Sequence, residues 1–183
     1  MSSTIDLQQN DILKDYYENL KRLDIEIKSY STRPLDKWNP WYGWQGFYAE
    51  LQNHIGGDWN YVPNRSGGFL GFWWHHKLDN DLHYYLQLEQ ENLIFKLIVE
   101  DTNKRRETRN FYRGFLYNKA KELNISISQF GRIGKHMGVA KLNSGYRKTD
   151  ENGMLDFQAT LENLKNIMNL INETEKEITA HNN

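Results

Sequence analysis

At 183 residues, 38% hydrophobic and 26% charged, the chain is long enough to bury a core in one domain and too apolar for a disordered tract. It has no cysteine, which excludes disulfides, thiolate metal sites and cysteine nucleophiles and fits a reducing compartment. No apolar run approaches the roughly 20 residues that span a bilayer, and the polar, acidic start MSSTIDLQQND is unlike a signal peptide. A soluble cytoplasmic protein is therefore expected. The net charge of −1 hides an asymmetry: residues 104–148 carry 12 Lys and Arg against 2 Asp and Glu, inside an otherwise acidic chain.

In chain order, the first predicted helix spans about 10–30. Leu13, Tyr16, Leu20, Leu23, Ile27 and Tyr30 recur at 3-4-3-4-3 spacing, with Asn10 or Asp11 as a cap. Pro34 stops it, and Trp38 is the expected anchor of the linker that follows. A second helix over 42–55 turns Trp44, Phe47, Tyr48, Leu51 and Ile55 inward and ends at Gly56-Gly57.

The stretch from Trp59 to Trp74, WNYVPNRSGGFLGFWW, then concentrates aromatic residues and glycines. Strands are expected at 59–62, 69–77, 82–90 and 93–100, joined by a loop at 63–68 and turns at 78–81 and 91–92, as an antiparallel meander. In the second strand Phe69, Gly71, Trp73 and His75 share one face, and Leu70, Phe72, Trp74 and His76 the other. Both faces begin apolar, so this strand is expected to be central and covered on both sides. Its rings then belong to the core, and the turn Asn64-Arg65-Ser66-Gly67-Gly68 is left free for a ligand.

A third helix over 105–123 places Phe111, Tyr112, Phe115, Leu116 and Leu123 inward. Arg105, Arg109 and Arg113 form a basic stripe beside that face, with Arg106 adjacent. Strands at 125–130 and 138–142 flank the glycine-rich, basic loop GRIGKHMG, and a last helix over 154–178 repeats a 4-3-4-3 apolar stripe. The fold class is α+β: a single domain, 1–183, with a mostly antiparallel sheet of about five or six strands and helices packed against it.

Chemistry is sparse. Adjacent His75 and His76 face opposite ways on a strand, so they do not share one ion. A site built from one of them with His83 and a carboxylate such as Glu89 stays open beside the plainer reading of a polar hairpin end. GRIGKHMG has neither dinucleotide-binding nor Walker A spacing, and a turn explains its glycines equally well. Arg132, Lys135 and His136 still make it an anion-contact loop. Three arginines at helical spacing beside aromatic residues suit phosphates or an acidic partner. No acyl-transfer elbow is present around Ser66. No cofactor is expected. The stripes of the terminal helices either pack inward or form a homodimeric seam.

NDILKDYYENLKRLDIEIKSY, WYGWQGFYAELQ, DWNYVPNRSGGFLGFWW, YLQLEQENLIFKL and RRETRNFYRGFL resemble, in that order, the C-terminal portion of a group of bacterial PD-(D/E)XK nuclease-superfamily proteins. The resemblance covers roughly residues 10–142, and SGGFLGFWW is its most specific part. It implies an accessory region whose nuclease core lies upstream. Of all the lysines, Lys28 alone has an acid two positions before it, in Glu26-Ile27-Lys28. On a helix those two side chains point about 200° apart, unsuited to a shared magnesium site.

The expectation is a non-enzymatic binding protein that meets nucleic acid or a nucleoprotein through Arg105, Arg106, Arg109, Arg113, Arg132, Lys135, His136, Lys141 and Arg65. Its sharper form is a phage-encoded inhibitor of a bacterial defence nuclease, of the anti-CRISPR type. The alternatives are a module that pairs with a separate nuclease subunit, and a metal-dependent enzyme built on His75, His83, Glu89 and Arg109.

Overall fold

Between residues 82 and 98, apolar and polar side chains alternate with period two, the pattern of a strand pair with one covered face. A computed structural model, which describes residues 2–65, 67–79 and 82–182, folds that stretch into β3 (Leu82–Glu89) and β4 (Asn92–Ile98). Around them lie β2 (Phe69–Asp79) and β1 (Asp58–Val62) on one side, and β6 (His136–Leu142) and β5 (Ile127–Gln129) on the other. The result is one six-stranded antiparallel sheet of order β1-β2-β3-β4-β6-β5, as the α+β reading requires. Asn80 and Asp81 of the expected turn, and Ser66 of the expected ligand loop, lie outside the described residues.

Helices cover one face of this sheet. α3 (Tyr42–Ile55), α4 (Arg105–Glu122) and α5 (Phe157–Asn182) pack over Phe72, Trp74, Leu86, Leu88, Phe95 and Leu97. The ring of Tyr48 lies 5.5 Å from Phe72 and that of Tyr112 lies 5.3 Å from Tyr84. On α5 the buried face is wider than the expected stripe and includes Ile167 and Leu170, because the helix packs against α4 and meets β2 through Asn172 and Glu175. On α4 the buried face is rotated: Arg109, Tyr112, Leu116 and Ala120 go inward, while Phe111 and Phe115 meet His181 of α5.

The expected first helix is two helices, α1 (Ser2–Ile27) and α2 (Ser29–Thr32). The Ser29 hydroxyl donates to the Glu26 carbonyl and accepts from the Asn39 N–H, while the Glu26 carboxylate receives Arg33 and Asn39. These bonds fold the chain back so that Trp38 seats beside Trp44, its indole donating to the Arg33 carbonyl. Trp38 is thus the anchor expected of it. A small ribbon of β7 (Lys148–Thr149) and β8 (Leu155–Asp156) has no counterpart in the periodicity.

Strand β2 departs from expectation twice. It is second from the edge, and the helices cover one of its faces, not both. Its second apolar face is explained by Trp73, whose indole lies across Gly71; a β-carbon there would approach the ring to 2.6 Å. Secondly, the register skips between Trp74↔Leu86 and Lys77↔Tyr84, so His75 and His76 together stand opposite Tyr85. This β-bulge, with His75 at φ 55°, exchanges the faces of the two histidines. His75 bonds to Asn172 of α5, and His76 turns to the opposite face.

Candidate functional site

The face of the sheet opposite the helices is lined by strand side chains. Cross-strand register sets them in rows: His83, Ile98 and His136; then Tyr85, Lys96 and Gly138; then Trp73, Gln87, Ile94, Lys141 and Ser128. Two half-buried aromatic rings lie on this face, each over a glycine. Trp73 covers Gly71, and Phe130 covers Gly138, where an added β-carbon would approach that ring to 2.9 Å. The Lys141 ammonium stands 5.8 Å from the Phe130 centroid, within reach of a cation–π contact.

A polar chain leads from Trp73 along β3. The Trp73 indole donates to Gln87 at 2.8 Å, and Gln87 donates to Glu89. Burial raises the Glu89 carboxyl and lowers the Lys96 ammonium, and their mutual attraction offsets part of each shift.

Basic residues gather at one end of the same sheet. β4 runs out at Ile98, and the next residue, Val99, bonds through its N–H to the Lys135 carbonyl. This bond brings the 130–136 loop beside the start of α4. Arg105 donates to the carbonyls of Val99 and Glu100, and Lys135 pairs with the Glu100 carboxylate at 2.8 Å. That ammonium holds Glu100 below the usual carboxylate range, with lesser help from His136 and Arg105. Burial, then Lys135 and Lys96, lowers the His136 imidazole. Arg106 and Arg132 are exposed and make no ion pair among the described residues.

The structure therefore brings together Arg105, Arg106, Arg132, Lys135 and His136, with Lys141 on the adjoining open face. It separates three others. Arg109 is 5% exposed, and its guanidinium donates to the carbonyls of Gly138, Phe130 and Gly131 at 2.9, 2.7 and 3.0 Å. It clamps the loop from beneath and is unavailable to a partner, a correction to the basic-stripe reading. The physical reason is the rotation of α4, which turns the middle of the stripe inward. Arg113 bonds to Asn110 on its own helix, and exposed Arg65 lies at the opposite end of the sheet.

The 63–68 loop is also less free than expected, since Asn64 accepts from the Gly67 and Gly68 N–H groups and Tyr61 donates to the Gly67 carbonyl. Of the three loop glycines, Gly131 adopts positive φ (82°) and packs against Gly138, where a side chain would collide. In the Glu26-Ile27-Lys28 segment, Glu26 is committed to Arg33 and Asn39, and Lys28 to Asp24 at 2.8 Å.

Lys96, Trp73 and Phe130 belong to this face although charge counting along residues 104–148 does not point to them. Alternation around Phe95 and Leu97 was the available signal for Lys96. Among the described residues no group of three or more His, Cys, Asp or Glu is arranged to hold a metal, and no helix is long and apolar enough to cross a membrane. No family model matches the chain, and neither a curated protein nor a solved structure matches it.

Proposed function

We propose that the protein is a cytoplasmic, non-enzymatic binding protein that contacts nucleic acid through its basic sheet end and open sheet face. The observation that supports this most is the convergence of Arg106, Arg132, Lys135 and His136 beside Lys141, Lys96 and two half-buried rings, each over a glycine. Cations along a path track phosphates, and partly exposed aromatic rings can stack with unpaired bases. A surface of this kind, without acid–lysine cleavage chemistry, also suits an inhibitor that occupies the nucleic-acid channel or nucleoprotein of a defence nuclease. The phage-inhibitor reading is the specific form of the proposal.

The test is retention on labelled RNA and DNA across a salt series. Wild type is expected to bind at low salt. Arg106→Glu with Arg132→Glu and Lys141→Glu should abolish retention, and Arg65→Glu should leave it intact. Removing one phosphate-binding cation lowers the log–log salt slope by about 0.7 to 0.9. Absence of retention on either nucleic acid at low salt would sink direct contact.

A second reading, self-association, draws on α1. Leu13, Tyr16, Tyr17 and Leu20 are 63%, 62%, 60% and 44% exposed, whereas α5 buries its stripe within the monomer. Of the two terminal helices, α1 is the candidate seam. Its 3-4-3-4 stripe is self-complementary in the manner of a coiled coil, so the partner proposed for it is a second copy.

A further inference from the structure

The β2 bulge has a chemical consequence on the open face. Regular alternation would put His76 with Trp74 beneath the helices. With two β2 residues opposite Tyr85, His76 instead lies on the face of His83, seven residues on and across the hairpin. Its ring stacks on Tyr85, with centroids 5.0 Å apart and planes 11° from parallel. His83 packs against the same tyrosine at 5.8 Å. Thus Tyr85, itself buried, fixes the orientation of both imidazoles.

The Nδ1 of His76 and the Nε2 of His83 are 3.0 Å apart. Two nitrogens bound to one zinc ion at about 2.0–2.1 Å lie about 3.3–3.4 Å apart at the tetrahedral angle and about 2.9 Å apart at a right angle. The observed separation falls between these values, so a metal could enter with a small movement of the rings. Two nitrogens this close cannot both carry a proton towards each other. A neutral imidazole nitrogen with a free lone pair is the form that binds metal. His76 is exposed, so the remaining coordination positions open to solvent.

We propose that His76 Nδ1 and His83 Nε2 form a two-histidine site for a borderline divalent transition ion, zinc or nickel, which cross-links β2 to β3. Imidazole ligands select such ions over magnesium and calcium, which prefer oxygen. Among the described residues no third protein ligand completes a cage, so water or a partner's donor group fills the remaining positions. The strained backbone of His75 has a role in this arrangement: it is the local distortion that delivers His76 to the open face.

The experiment is a calorimetric titration of the full chain with zinc chloride near neutral pH, with imidazole ¹⁵N spectra recorded in parallel. One equivalent is expected to bind, moving the His76 Nδ1 and His83 Nε2 resonances most. His76→Gln and His83→Gln should each weaken binding by more than the roughly 10–100-fold that loss of an outer-shell partner costs. His75→Gln should bind as wild type, because His75 faces α5. Both histidines of the pair lie at the sheet surface, so circular dichroism of each variant should match wild type. A wild type that takes up no zinc, uptake that survives in both pair variants, or equal loss in His75→Gln overturns the assignment.

Discussion

Two helices of 26 residues each, α1 and α5, bracket the chain and carry comparable apolar stripes, yet they meet opposite fates. α5 buries Leu161, Leu164, Ile167, Leu170, Ile171 and Ile178 against the sheet and α4. In α1 every residue from Asp11 to Leu20 is exposed. Periodicity reports that a helix has an apolar face; it does not report what lies against that face. The difference arises from connection geometry. α5 follows the β7–β8 ribbon directly and is laid back over the sheet, with Lys119 of α4 clasped by Glu122 and Glu177. α1 touches α3 near its C-terminal end, where the Ser29 turn ties it down.

The comparison breaks most directly at matched leucines. Leu164→Ala in α5 is expected to cost about 2–5 kcal/mol in urea unfolding, as a cavity in a packed core does. Leu13→Lys in α1 should change monomer stability by less than about 0.5 kcal/mol. It should instead lower the mass seen by concentration-dependent light scattering if α1 pairs with a second copy. Equal cost at both positions would mean that α1 is covered as fully as α5.

A smaller effect is expected on α4, the partner of α5. Arg109→Met removes the donor for three carbonyls and should cost roughly 2–3 kcal/mol, since a buried acceptor left unpaired costs about 1–3 kcal/mol. Arg106→Ala, one turn earlier and exposed, should change the unfolding midpoint little. A tolerant Arg109→Met variant would return that arginine to the binding surface.

The smallest effect distinguishes the two helices by pH. Burial lowers the pKa of His75, which faces Asn172 of α5, below its ordinary 6.5. Below pH 6.5 the unfolded chain therefore binds more protons than the folded one, and stability falls as pH drops towards the lowered folded value. Replacing His75 with Gln should flatten this part of a urea-midpoint profile between pH 7 and 5. α1 contains no histidine, so Leu13→Lys there should leave this part of the profile unchanged.

Much of the architecture could be read directly from residue order. Alternation along Leu82 to Ile98 is a property of each strand alone, so the meander, its faces and the α+β class followed from it. The 42–55 helix and the Trp38 anchor followed equally, because a period of 3.6 and a proline stop act locally. The excess charge of residues 104–148 was visible as a count. Its usable part was not. Whether an arginine at helical spacing faces solvent depends on how α4 rotates against Tyr84 and α5, and that rotation buried Arg109 while leaving Arg106 outside. The bulge at His75 and His76 escaped for the same reason: one extra residue in a ladder is set by the partner strand's register, which no single strand encodes. Local periodicity determined the elements. Long-range packing decided which of their faces remain available for function.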